Sequence, residues 1–153
     1  VFLNALHESA ETFELEEFLQ YHLKETNHQA RRLENVFNIL DEEPEGESCD
    51  GIRGLIQEAQ KLAGRCLNEE VRDAAIVTAV QHINHYEMAG YGTAIAYAKS
   101  LERHTIAELL LETLREEKRA DMGLSDLAES QINPDAKWSA IVNKVKPSTK
   151  IKK

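Results

Sequence analysis

Two acidic side chains, Glu117 and Asp121, lie four residues apart in a long stretch of helical periodicity. At about 100° per residue, both fall within the stripe of apolar side chains on that helix. Burying a carboxylate in an apolar core is costly unless the carboxylate is paired or coordinates a cation. Two stacked carboxylates need a common partner, and we expect that partner to be a cation held inside a bundle of helices.

Two other helical stretches also carry polar side chains in or beside their apolar stripes, near the middle of each stretch. Because the middles of antiparallel helices meet at one level, we expect four carboxylates and one or two neutral ligands to converge. Such donors suit one or two ions of iron or manganese, and they suit Mg²⁺ less well. The predicted metal ligands are Glu25, Glu87, Glu117, Asp121 and Gln29, with Asn84 as a neighbouring neutral group.

Each of these residues also has an ordinary structural explanation, because core glutamates can pair with arginines or face a partner subunit. Glu25-Thr26-Asn27-His28 matches the Glu-x-x-His pattern of di-iron bundles. On the helical wheel, however, His28 points away from the apolar stripe, whereas His22 and Gln29 point into it. The chain shows no zinc-finger spacing, no glycine-rich phosphate loop and no nucleophile–base pair, so we assign no catalytic residue and leave enzymatic activity open.

Long segments of helical periodicity must position these side chains. Residues 1–11 resemble the end of one helix, and residues 12–40, 69–100 and 105–131 form three long helical patterns. A shorter helix, residues 52–66, lies in the long connection between residues 12–40 and residues 69–100. Two tight hairpins joined by one long crossover predict an all-α fold, a ferritin-like four-helix bundle. No segment has the alternating pattern of a strand.

The helix ends carry capping signals. We expect Thr12 and Asn68 to be N-caps, and we expect Thr105 with Glu108 to form a capping box. Asn133-Pro134-Asp135 is typical of a new helix start, with proline at the first helical position. The last of the long helices should therefore end before this tripeptide.

The sequence predicts two parts: a helical bundle domain, residues 1–131, and a short amphipathic helix with a lysine-rich tail, residues 132–153. Residues 137–153 contain six lysines and no acidic residue. We favour a solvated tail or a helix docked on the acidic body. The alternative is a segment that touches an anionic membrane or nucleic acid.

The 153 residues include 29% charged side chains, with a formal net charge of −9. Residues 1–136 hold 12 basic and 27 acidic side chains. This part of the chain is therefore strongly acidic; it should attract cations and should not bind nucleic acid by itself. The chain has no apolar run that could span a membrane and no visible signal peptide, so we expect a cytoplasmic protein. We expect Cys49 and Cys66 to be reduced thiols.

Several segments resemble the YciE/YciF-like ferritin-like stress proteins, over about residues 1–130. The resemblance implies a ferritin-like bundle, usually a homodimer, related in architecture to rubrerythrin and other dimetal carboxylate proteins. It also implies a role in stress responses. The segments that carry it are His22-Leu23-Lys24-Glu25-Thr26, Arg32-Leu33-Glu34, His85-Tyr86-Glu87-Met88-Ala89-Gly90-Tyr91-Gly92-Thr93 and Thr113-Leu114-Arg115-Glu116-Glu117-Lys118, together with Asp121.

Carried over residue by residue, the resemblance implies the same four carboxylates as metal ligands. Two positions depart from the family pattern. Asn84 stands where the family commonly has glutamate, and the first-helix glutamate of the family would fall just before Val1. With these departures we expect a site for one ion, a weak site for two, or a site that has lost its metal.

Two functions from different classes follow from these observations. The first is a metal protein that protects the cell when its bound Fe(II) reacts with oxygen or peroxide, or that stores metal. The alternative is a metal-free structural or interaction module of the same fold, in which the buried acids are protonated or bridged by water and the partner subunit. Metal analysis of the purified protein distinguishes the two.

Overall fold

The computed structural model describes residues 2–66 and 68–145, and in this part of the chain the regular elements are helices, without strands. The predicted all-α fold is confirmed. A π-helical turn, Ala128–Ile132, joins the last two helices. The helices are α1 (Phe2–His7), α2 (Phe13–Leu40), α3 (Asp50–Ala63), α4 (Glu69–Ser100), α5 (His104–Leu127) and α6 (Asn133–Val145).

The connections give the predicted topology. The α1–α2 and α4–α5 pairs are each joined by a short turn, and the members of each pair pack on one another. Helix α2 also packs on α5, which brings the two hairpins together. The long crossover from α2 to α4 contains α3, which packs on α4. This is the arrangement of a ferritin-like four-helix bundle.

The core consists of two apolar clusters. In each long helix, buried polar side chains lie between the residues of one cluster and those of the other. We call these polar side chains, which are all buried, the polar layer. The first cluster includes Leu15, Leu19, Ile76, Val80 and Leu124. The second includes Val36, Ile95, Ile106 and Leu110. The polar layer consists of His22, Gln29, Asn84, Thr113 and Glu117.

Of the two predicted N-caps, Asn68 makes a capping hydrogen bond and Thr12 does not. Asn68 is an N-cap as predicted, because its Oδ1 accepts from the Val71 N–H at 3.0 Å. Thr12 occupies the N-cap position of α2 without a capping hydrogen bond from its side chain. Its Oγ1 instead donates to Oδ2 of the buried Asp73 at 2.6 Å, and Asp73 also accepts from the Glu11 and Thr12 N–H groups. A carboxylate of α4 therefore holds the turn between α1 and α2.

The predicted capping box at Thr105 is wrong, because α5 already begins at His104. The predicted helix start at Asn133 is confirmed, because α6 begins there, whereas α5 ends at Leu127 and not at Gln131. The helix continues through the π turn Ala128–Ile132 directly into α6. A π turn forms i→i+5 hydrogen bonds and so changes the register just before Pro134, which has no N–H to contribute to a regular helix.

Helix α6 packs on α4, and the Ser139 hydroxyl donates to the Glu70 carboxylate at 3.0 Å. Residues 146–153, which hold most of the lysine-rich tail, lie outside the described residues. Within the residues that the structure describes, none of the helices has the length and apolar character needed to cross a membrane.

Candidate functional site

A bidentate ion pair between Arg32 and Glu116 lies at the edge of the polar layer. Nη1 and Nη2 of Arg32 lie 2.8 and 2.9 Å from the two Glu116 oxygens, and Nη1 also donates to Thr113 Oγ1 at 2.7 Å. Burial raises the pKa of Glu116, but the hydrogen bonds from Arg32 and Gln29 and the charge of Arg32 outweigh burial and hold it below its ordinary value. This carboxylate is fully satisfied by protein groups.

The next residue, Glu117, points into the bundle and is fully buried. Its Oε1 accepts from Gln29 Nε2 at 2.7 Å, whereas its Oε2 has no hydrogen-bond partner among the described residues. Burial raises the pKa of Glu117. His22 and the Gln29 hydrogen bond oppose that rise, the charges of Glu25 and Glu116 add to it, and the net shift is upward. A base with an unused lone pair therefore faces the interior.

A second base lies in the polar layer on α2. The Nε2 atom of His22 is 3.3 Å from Asn84 Oδ1, and both side chains are buried. Because a carbonyl oxygen only accepts, Nε2 carries a hydrogen in this arrangement, and Nδ1 holds a lone pair when the imidazole is neutral. His22 Nδ1 and Asn84 Nδ2 have no hydrogen-bond partner within the described part of the chain. An oxygen that holds the second ring nitrogen in this way is typical of metal-binding histidines.

Glu87 follows Asn84 by one turn on α4 and is half-buried. Burial, together with the charge of Glu117, raises the pKa of Glu87 to about 7. Burial and the charge of Glu87 raise the pKa of Tyr91 to about 12. His22, Glu117 and Glu87 thus form one electrostatic neighbourhood contributed by α2, α5 and α4.

Glu25 and Asp121 have protein partners at the rim of the bundle. Glu25 Oε1 accepts from the Tyr21 hydroxyl at 3.2 Å and lies 3.7 Å from an Arg119 nitrogen. Asp121 Oδ1 lies 3.2 Å from Nε2 of His85, whose side chain is mostly exposed. Both carboxylates therefore have neighbours at the surface to stabilise their charge.

The structure brings Gln29 into contact with Glu117 and places Glu25 and Glu87 within electrostatic reach of Glu117. Asp121 lies instead beside His85 and Gln81. Across residues 2–66 and 68–145, no three side chains of histidine, cysteine, aspartate or glutamate are grouped closely enough to hold a metal ion. Sequence reasoning missed His22 as a ligand candidate, although its place in the apolar stripe of α2 was a signal. His28 is exposed.

Comparison with known proteins agrees with the fold. A family model described as a domain of unknown function, DUF892, matches residues 2–137. Protein YciF of Escherichia coli is 39% identical over 120 residues, which are 78% of this chain and 72% of that protein.

Two solved structures are similar along most of their length. "YcfI, a putative structural protein from Rhodopseudomonas palustris" has a TM-score of 0.80 and 42% identity, and the match covers 81% of this chain and 79% of that one. The crystal structure of the E. coli stress protein YciF has a TM-score of 0.81 and 36% identity, with 86% and 84% covered. The resemblance found from the sequence is confirmed.

Proposed function

The chain belongs to the DUF892 family, and from the geometry of its polar layer we propose that it binds one ion of iron or manganese. Nδ1 of His22 and Oε2 of Glu117 are the proposed inner ligands, with Glu87 as the nearest further carboxylate. Mixed nitrogen and oxygen donors of this kind suit Fe and Mn better than Mg²⁺, which prefers oxygen ligands.

The observation that carries the proposal is a pair of buried bases without partners, on two different helices. His22 Nδ1 and Glu117 Oε2 are each enclosed and accept no hydrogen bond from any described residue. Leaving a buried acceptor unsatisfied costs about 1–3 kcal/mol. One cation between them would satisfy both at once and would also offset the negative charge that Glu117 and Glu87 impose on each other.

The donor set fits one ion better than two. A second ion would need further free carboxylates, but the other acids near the layer are already bonded. Glu116 pairs with Arg32, Glu25 with Tyr21 and Arg119, and Asp121 with His85. Even for one ion, the Glu87 side chain must turn toward Glu117, because the described side chains do not form a group of three ligands.

The chain's own residues would hold and orient the ligands. Asn84 fixes the ring of His22 and the position of its hydrogen, and Gln29 holds Oε1 of Glu117 while Oε2 stays free. Arg32 keeps Glu116 out of the interior. Bound iron would supply redox chemistry with oxygen or peroxide. Because a relative is described as a stress protein, we extend the proposal to protection under stress.

Titration of chelator-treated protein with Fe(II), anaerobically, and with Mn(II) tests the proposal. We expect about one ion per chain. His22→Ala and Glu117→Gln should each weaken binding at least about tenfold, whereas the exposed matched controls His82→Ala and Glu108→Gln should leave it unchanged. Less than about one-tenth of an ion per chain would contradict the proposal.

A metal-free structural or interaction module is the second candidate. Its support is that protein groups already satisfy most of the acids around the layer, and that a relative is described as a putative structural protein. In that case the buried acids are protonated or bridged by water and the partner subunit, and metals do not change the melting temperature. The homodimer stays a prediction, which light scattering can test.

A further inference from the structure

A cavity of about 300 Å³, open to solvent, lies beside the polar layer and is lined by residues of four helices. Its walls are mostly apolar, with Leu33 from α2, Ile52 from α3 and Leu110 from α5. Helix α4 adds Glu87 and Tyr91 as polar groups. Small-molecule sites are typically concave and largely apolar, with a few convergent polar groups, and this volume is at the lower end of their range.

The polar groups of the cavity are available to a ligand. Neither Glu87 nor Tyr91 forms a hydrogen bond with any residue that the structure describes. Tyr86, which also lines the cavity, is positioned by contacts with the beginning of α3. Its hydroxyl lies 3.3 Å from Cys49 Sγ, and the absence of a side chain at Gly51 leaves room for its ring. The cavity thus combines the carboxyl group of Glu87 and two tyrosines, Tyr86 and Tyr91, with an otherwise apolar lining.

We propose that this cavity binds a small organic ammonium ion, with the charged head at Glu87 and the apolar body against the aliphatic wall. A carboxylate attracts the ammonium charge directly, and the ring faces of Tyr86 and Tyr91 attract it through their quadrupoles. A water molecule occupies about 30 Å³ in the liquid. If each non-hydrogen atom of a ligand takes a similar volume, the cavity accepts about ten such atoms.

This site extends beyond the proposed metal site and does not require it. A metal ion and an ammonium head would both draw on the Glu87 carboxylate, so they should compete. Binding is therefore tested on chelator-treated protein, where the ammonium site is open whether or not the chain ever binds a metal. A negative result for metal and a negative result for the ammonium ion are then separate outcomes.

The test compares three probes of nearly equal size that differ in their head group: phenethylammonium, phenethyl alcohol and phenylacetate. Their titrations at about pH 8, followed by the amide NMR signals of Gly90 and Gly92, give three dissociation constants. We expect phenethylammonium to bind at least about tenfold more tightly than the alcohol, and phenylacetate to bind most weakly.

Two variants connect the preference to the cavity. Glu87→Gln should remove the advantage of the ammonium probe over the alcohol, and Ala94→Leu, which narrows the cavity, should weaken both. The exposed control Glu108→Gln should change neither. Equal binding of the ammonium and alcohol probes, an ammonium advantage that persists in Glu87→Gln, or no binding of any probe would overturn the proposal. If Glu87→Gln does not fold, the head-group order in the wild type and the effect of Ala94→Leu decide.

Discussion

Glu116 and Glu117 are neighbours in the sequence, yet they have opposite environments. Glu116 is held by both guanidinium nitrogens of Arg32 and has a lowered pKa. Glu117, one residue later on α5, has a single hydrogen bond from Gln29, an oxygen without a partner and a raised pKa. A rotation of about 100° along the helix takes the chain from a satisfied ion pair to an unsatisfied base.

The difference shows which buried acids are structural and which are open to a ligand. Both carboxylates are removed from water, so burial alone does not distinguish them. What distinguishes them is a bidentate guanidinium on one side and its absence on the other, because a carboxylate is stabilised in the interior only by a partner charge or by donors. The acid without a guanidinium is the one that lies with His22 and Glu87.

Removing the cation on the paired side should have the largest effect. Arg32→Ala leaves Glu116 largely buried without its partner, and we expect the free energy of unfolding to fall by about 3 kcal/mol at neutral pH. Urea denaturation measures this loss. Glu112→Ala is the matched control, because it removes only the exposed partner of Arg32 and should cost less than about 0.5 kcal/mol. Equal losses for the two variants would show that Glu116 does not depend on Arg32, and its environment would then not differ from that of Glu117 in the way described.

Removing the charge on the unpaired side should have the opposite sign. The pKa of Glu117 is raised, so the folded metal-free protein is destabilised wherever this group is ionised. Glu117→Gln should therefore stabilise the metal-free protein at about pH 8, by about 2 kcal/mol, and the gain should shrink toward about pH 5. A loss of stability at both pH values would show that the carboxylate has a partner in solution.

The pH dependence of the metal-free wild type should report Glu87. Its pKa is about 7 in the folded protein against an ordinary value of 4.5. The stability from this group is therefore complete below about pH 4.5 and is lost as the pH rises through about 7. With solvent screening, we expect a loss of about 1–2 kcal/mol between about pH 5 and 8. Glu87→Gln should reduce the loss; an identical loss in that variant would assign it to other groups.

The smallest expected effect concerns Gln29, whose side chain donates to both Glu116 and Glu117. Gln29 Nε2 donates to Glu117 at 2.7 Å and to Glu116 at 3.2 Å. Gln29→Ala should cost about 1 kcal/mol and should raise the pKa of Glu117 further than that of Glu116, since Arg32 still holds Glu116. NMR titration of the two carboxyl carbons measures both. Equal shifts would mean that Gln29 does not separate the two environments.

Much of the fold could be predicted from the sequence, because helical periodicity and connection length are local properties. The crossover with its short helix and the Asn68 cap required no knowledge of long-range contacts. The continuous passage from α5 into α6 could not be predicted, since it depends on the π turn and on the packing of α6 against α4. Capping signals are local in the sequence, so they indicate neither the π turn nor the packing of α6.

The candidate site was less accessible to sequence reasoning. A helical wheel gives the face on which Cα and Cβ lie, but it does not give the direction of a long side chain's end. Glu25 and Asp121 therefore looked equivalent to Glu117, although both find partners at the rim. His22 became a candidate only when Asn84, which is distant in the sequence, was seen to fix its ring.

The most direct test of the account is anomalous diffraction from crystals of the wild-type protein grown with Mn(II), after chelator treatment. The account predicts one anomalous peak per chain, at bonding distance from His22 Nδ1 and Glu117 Oε2, with Glu87 turned toward it. Glu117→Gln crystals grown in the same way should lack the peak. A well-ordered polar layer without a peak, or a peak bound only by Glu116, Asp121 or Glu25, would contradict the account.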